Sequence, residues 1–258
     1  MFVRALFFSL IVTVCFNQAS ADFILNSAQT ITGQVNVQPI LVRNTDGTNA
    51  AEYFGAAQST ISGFINQVWA QAGIQISFLA PNLWNNSFAN IGTPGNNAPR
   101  PTSDLNTIVA SGDLAGVGNS NPFTIDMYFV EIAAGFSDVG ENTANGLAFV
   151  GANGITQHVG DNLVSFLGGQ ELIAKVVSHE IGHNLGLFHF EDVPNLMQAN
   201  GATGEARLIA AQIATARASQ FVVAVPEPTS LALVVCVVAC VVLSRRRFVK
   251  PRLIGGIC

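Results

Sequence analysis

Eleven residues, His179 to His189, read HEIGHNLGLFH and hold three of the chain's four histidines. His179 and His183 are four apart, so a helix stacks them on one face. Two imidazoles so placed can grip one zinc ion through nitrogens at about 2.0–2.1 Å. Glu180 projects roughly a quarter-turn away, beside such an ion rather than onto it, which suits a general base acting on water. Gly186, three residues past His183, takes φ > 0 at little cost, so the helix can end there and the chain can swing back. The swing brings His189 in as a third ligand. Three protein ligands leave one position open, the arrangement of a catalytic rather than a structural zinc site.

The full pattern, HExxHxxGxxH, resembles the signature of the metzincin zinc peptidases. Their second mark is a methionine turn beneath the metal. Here FEDVPNLMQ follows, and Met197 stands eight residues after His189, an interval similar to that of the matrixins. Phe190 stands where matrixins carry Ser and reprolysins Asp, and Gln198-Ala199 replaces the Tyr-Pro often found in matrixins. The resemblance implies an α+β fold: a mixed, mostly parallel twisted sheet, an active-site helix and a small helical C-terminal subdomain. It also implies a zinc endopeptidase. One zinc ion on His179, His183 and His189 would polarise the scissile carbonyl. Glu180 would take the proton of the attacking water and pass it to the leaving amine. Some metzincins add a tyrosine after the methionine turn. The only tyrosines here are Tyr53 and Tyr128, far upstream, so the metal is expected to stabilise the oxyanion alone.

The elements that must position these residues can be read in order. From Asp22 to Asn44 the β-formers Ile31, Val35, Val37, Ile40 and Val42 suggest one or two strands, with Pro39 favouring an edge or a strand start. Ala51 to Ala72 has helical spacing, with Phe54, Ala57, Ile61, Phe64, Ile65, Val68 and Trp69 on one stripe and Gly73 as the stop. Ile74, Ile76 and Phe78 alternate as a strand, which completes a βαβ unit. Pro81 to Pro122 is rich in Asn, Gly, Pro and Ser and reads as a long surface loop, broken by a short helix near Ser103 to Ala110. Phe123 to Glu131 is nearly continuous apolar sequence, as in a strand covered on both faces. Gly146 to Gly151, GLAFVG, is short and bounded by glycine; by resemblance to the reprolysins it is the edge strand beside the cleft, open to an extended peptide. Gln157 to Val159 suggests a further strand, on which the lone His158 is a surface or satisfied residue rather than a ligand. Gln170 to Leu185 is the active-site helix, with Leu172, Ile173, Val176, Val177 and Ile181 buried. Glu205 to Ser219 is one more helix, packed under the methionine turn.

Composition narrows the partners. Between Asp22 and Ala224 there are 15 acidic and 5 basic residues, a balance of −10. Such a body repels phosphates, so nucleic acid is not expected as a partner. The cysteines, Cys15, Cys236, Cys240 and Cys258, all lie outside that body, so no disulfide is expected within the domain. The cysteine switch of matrixin pro-segments is not expected either. The loop acids Asp104, Asp113, Asp138, Glu141 and Asp161 are of a type that binds calcium, but no EF-hand spacing is present and solvated surface is the expectation.

Both ends change character. Met1 to Ala21 reads as a signal peptide: Arg4, an apolar run from Ala5 to Phe16, and Ala19-Ser20-Ala21 as a small-x-small cleavage site. The catalytic domain is then expected over 22–222 and a tail over 223–258. In the tail, Val225-Pro226-Glu227-Pro228 precedes a hydrophobic segment, 231–243, and Arg245-Arg246-Arg247. This resembles the bacterial PEP-CTERM sorting signal, which implies an exosortase-type processing enzyme as a partner. The segment is short of the roughly 20 residues that span a bilayer comfortably, and the arginines orient it with the body outside. The protein is thus expected to be exported to the cell envelope, surface or medium, with transient membrane anchoring through its tail. A protein or peptide is the expected substrate. Two rival readings remain: a non-catalytic envelope or matrix adhesion protein that retains the fold, and a hydrolase of some non-peptide amide. The intact Glu180 favours catalysis over the first.

Overall fold

The computed structural model describes residues 23–91, 101–133, 136–137, 143–160, 169–199 and 205–225. The expected signal peptide, the hydrophobic segment 231–243, Asp138, Glu141 and Asp161 lie outside them, and so does the side chain of Asp104. Among the described residues no helix is long and apolar enough to cross a membrane.

The βαβ unit forms as the sequence suggests. Strand β1 (Gly33–Arg43) leads through helix α1 (Gln58–Ala70) to β2 (Ile74–Phe78), which pairs parallel with β1 from Gly33↔Ile74 to Val37↔Phe78. The helix starts later than the apolar stripe. Phe54, with φ 51°, and a 3-10 turn at Gly55–Ala57 hold the approach outside α1. Ile61, Ile65, Val68 and Trp69 are buried. After α1, Gly73 adopts φ 64°, and a Cβ there would stand 2.6 Å from the Thr30 carbonyl oxygen, so only glycine fits the turn.

The stretch read as a long loop broken by one short helix holds more structure: the helix is there as α3 (Pro101–Ala115), longer than expected, and β3 (Asn82–Asn85) and α2 (Ser87–Ile91) precede it. Strand β3 is an extension of the sheet that buries only Trp84, and so short a run carries no alternation to read. Helix α2 starts where the Asn86 side chain accepts from the Ala89 amide. Strand β4 (Thr124–Ala133) follows, then the small pair β5 (Phe136–Ser137) and β6 (Thr143–Ala144), β7 (Gly146–Ala148), β8 (Ile155–Gly160), α4 (Gln170–Asn184), α5 (Ala210–Arg217) and β9 (Val223–Ala224).

The main sheet runs β2-β1-β4-β8-β7, with β3 and β9 also on β1. It is mixed and mostly parallel. Only β7, against β8, and β9, against Gly33 and Gln34, are antiparallel. The sheet therefore takes in two residues beyond the expected domain end at 222. Strand β4 is covered on both faces. Ile125, Met127 and Phe129 join α1 and α4 in one core, while Tyr128, Val130 and Ile132 join Trp84 and the α3 residues Leu105, Ile108 and Val109 in another.

Pro39 corrects an expectation. It lies inside β1, between β4 on one side and β2 and β3 on the other. It is tolerated because the second neighbour is broken there: β2 ends at Phe78 and β3 begins at Asn82. Val37 O, two residues earlier on the same side, accepts from Leu79 N. The buried Gln38 amide bridges the gap, donating to Pro39 O and to Ala80 O. A proline there removes no ladder bond.

Helix α5 is also shorter than expected. Residues 205–208 are extended: Glu205 bridges to Ile24, Ala206 N donates to Ile24 O, and Leu196 N donates to Arg207 O. Tertiary pairing wins over a helical pattern that was weak to begin with.

Candidate metal centre

Helix α4 crosses the core face of the sheet with Ile173, Val177 and Ile181 buried against it; Leu172 and Val176 are only half-buried. This places His179 and His183 one above the other, ring centroids 4.7 Å apart. The helix ends in a Schellman turn. Leu187 N donates to Gly182 O and Gly186 N to His183 O, with Gly186 at φ 93°. The chain reverses as expected, and His189 comes back to the pair. Its Nε2 lies 3.3 Å from that of His179 and 3.2 Å from that of His183.

The outer nitrogens decide the protonation of the inner ones. His179 Nδ1 lies 2.8 Å from Leu196 O, and His183 Nδ1 lies 2.7 Å from Leu187 O. A carbonyl oxygen only accepts, so each Nδ1 carries the hydrogen and each Nε2 presents a bare lone pair. Bare lone pairs turned into one space repel one another. A cation between them reverses the sign. A tetrahedral zinc with Zn–N of about 2.0–2.1 Å has N···N edges of about 3.3–3.4 Å, the spacing seen here. Burial, with His183 second, pushes His179 down to about 3, and burial also lowers His183. Both rings are neutral at pH 7, so metal binding expels no proton from them. Among the described residues this is the one His/Cys/Asp/Glu cluster of metal-holding size. Asp113, expected in a loop, lies on α3 and belongs to no such group.

Glu180 is buried, 6% exposed, and burial alone raises its carboxyl to about 8. At that value the carboxyl is mostly protonated at pH 7; a cation on the nearby histidines would favour its ionised form, the one able to take a proton. It sits against β7. A Cβ on Gly146 would stand 2.9 Å from Glu180 Cγ and 3.1 Å from Cδ and Oε1. Gly146 is thus part of the site, and the sequence reading missed it by taking that glycine as a strand boundary. Gly182 was missed too. A Cβ there would stand 2.7 Å from the Sδ of Met197, which lies buried beneath the helix. An isolated glycine inside a helical pattern is the signal that pointed to such a close approach.

Other residues fall elsewhere. His158 is buried on β8 rather than at the surface, is not without a partner, and is not in the histidine cluster. Tyr53, half-buried against one core, meets Phe54 at a tilt and Phe129 edge-on, and Tyr128, buried in the other, meets Trp84 edge-on. Strand β7 lies at the edge of the sheet, as the GLAFVG reading expected.

The family model of the reprolysin-like metallopeptidases of family M12B matches residues 56–190, more than half of the chain. The match runs from the 3-10 turn before α1 to the residue after His189. Similar solved structures include the archaemetzincin of Methanopyrus kandleri, at TM-score 0.44 and 12% identity over 70% of this chain and 94% of that one. The archaemetzincin of Archaeoglobus fulgidus complexed with malonate aligns at TM-score 0.42 and 16% identity, over 70% and 99%. A zinc-dependent peptidase from Methanocorpusculum labreanum aligns at TM-score 0.45 and 14% identity, over 69% and 99%. No curated protein matches the chain significantly.

Proposed function

The chain belongs to the reprolysin-like M12B metallopeptidases, and from that premise we propose an exported zinc endopeptidase, with His179, His183 and His189 holding one ion and Glu180 as general base. The observation that carries the site assignment is the convergence of three imidazoles, with His189 Nε2 at 3.2–3.3 Å from the other two Nε2 atoms, both of which are stripped of hydrogen by carbonyl partners. When bound, zinc supplies Lewis acidity toward water and the scissile carbonyl. The rest falls to the chain. Leu187 O and Leu196 O hold the two helical imidazoles in register. The buried Glu180 carboxylate takes a proton from the attacking water at one oxygen and returns it to the leaving amine. The edge strand β7, beside Glu180, offers main-chain groups to an extended protein or peptide substrate.

Export and processing belong to the same proposal. The support is in the sequence: Arg4, the apolar run and Ala19-Ser20-Ala21 at one end; Pro226-Glu227-Pro228, the 231–243 segment and the three arginines at the other. An exosortase-type enzyme is the proposed processing partner, and the membrane contact is through the tail. Mass spectrometry of the mature protein from its host checks this: a C-terminus near Thr229 supports processing, and an intact Cys258 in the membrane fraction refutes it.

The experiment for the site is metal analysis followed by digestion of a peptide library with and without chelator. One equivalent of zinc and chelator-sensitive cleavage are expected. Less than half an equivalent after saturation and dialysis would sink the site assignment. Full zinc without cleavage of any peptide would favour the adhesion reading.

A further inference from the structure

The three histidines are not held alike. His179 and His183 each have Nδ1 on a carbonyl, whereas His189 is exposed and among the described residues no such carbonyl faces its Nδ1. Its place is set through the next residue. Phe190 N donates to Met197 O at 3.0 Å, and Phe190 O accepts from Asn195 Nδ2 at 2.7 Å.

Asn195 is completely buried, and its amide uses every bond it can make. Nδ2 donates to Phe190 O and, at 2.6 Å, to Val193 O; Oδ1 accepts from Met197 N and from Gln212 Nε2, each at 2.7 Å. The partners fix the amide's orientation, because two are carbonyls that only accept and two are N–H groups that only donate. Gln212 also accepts from Ile209 N and so ties the start of α5 to the same point. One side chain therefore closes the 190–197 loop and joins it to the last helix. Leu196 O, which orients His179, shares a rigid peptide unit with Met197 N, so the Oδ1 acceptor of Asn195 steadies the His179 side. The two Nδ2 donors, to Phe190 O and Val193 O, are what Asn195 contributes to the His189 side of the loop.

Resting on the zinc reading above, we propose that Asn195 is a positioning residue for the third ligand, holding His189 at the metal through Phe190. An outer group of this kind typically changes metal affinity about 10–100-fold when lost. Asn195→Asp is close in shape, keeps the acceptor for Met197 N and loses both donors to Phe190 O and Val193 O.

The test is Zn²⁺ affinity of the full chain, by competition with a chelating dye, for wild type, Asn195→Asp, His189→Ala and the double variant. Zinc binding about 10–100-fold weaker in Asn195→Asp is expected. In the His189→Ala background the same substitution should cost less than about 3-fold, because the ligand it positions is gone. Asp126→Asn is the control for mere loss of a buried polar hub. Asp126 is 2% exposed and bonds the Asn119 amide and the Asn153 side chain. It should lower Tm without moving zinc affinity. Wild-type affinity in Asn195→Asp, or an undiminished cost in the His189→Ala background, overturns the proposal. If Asn195→Asp does not fold, Asn195→Ser is read the same way, since serine cannot reach both carbonyls; wild-type affinity there overturns it equally. Absence of zinc binding in wild type would instead reject the zinc site itself.

Discussion

Replacing Gly146 by alanine adds one methyl group at the point where β7 meets the Glu180 side chain. Gly146 is not among the left-handed residues, so the backbone accepts alanine and the effect is steric. The new Cβ would stand 2.9 Å from Glu180 Cγ and 3.1 Å from Cδ and Oε1, where ordinary contact begins near 3.4 Å. The carboxylate must retreat by a few tenths of an ångström. A misplacement of about 1 Å at a reacting group costs about 100-fold, so a shift of roughly half that size costs about 10-fold in kcat, or about 1.4 kcal/mol. KM should move little, because the retreat concerns the base and not the strand's outer edge. Zinc content should stay at one equivalent, since the carbonyls that hold His179 and His183 belong to Leu196 and Leu187. The assay is steady-state cleavage of whichever peptide the wild type cuts best, together with metal analysis of the same sample. Wild-type kcat in Gly146→Ala would refute the reasoning: either Glu180 is not the base, or its place against β7 is immaterial.

Glu180→Gln should retain zinc and fold but lose peptidase activity by about 10²–10⁴-fold, because the amide cannot accept the proton; wild-type turnover would mean that another group is the base. Lys175 is buried on α4, and burial pushes it down from 10.5 to about 8 against the pull of Glu205. Between those values the unfolded chain holds a proton that the folded one has released, so stability should rise with pH from about 8 to 10.5, by up to about 3 kcal/mol. Denaturant melts across that window check it, and Lys175→Met should flatten the rise; an equal rise in that variant would assign the effect to other groups.

The clustering of His179, His183 and His189, the place of Glu180 beside them and the turn that returns His189 were legible in the sequence because they are local. Positions i and i+4 on one helix, a glycine at i+7 able to take φ 93° and a histidine at i+10 are properties of eleven consecutive residues. The double-sided burial of β4 was legible for a similar reason, since a continuous apolar run has few other uses. Met197 could be named by resemblance, but not what it touches. Pro39 inside β1, the strand β3 and the extended course of residues 205–208 were settled by neighbours distant in sequence: a gap between β2 and β3, the stretch of β1 beyond β2, the backbone of Ile24. The same holds for the residues around the site. Gly146 and Glu180 are 34 positions apart, and Asn195 and Gln212 are 17 apart. A glycine chosen for close approach and an asparagine with four partners look, in one dimension, like any turn glycine and any loop asparagine. Only when the sheet edge, the active-site helix and the methionine turn are packed together do those side chains acquire partners, and partners are what separate a site residue from a spacer.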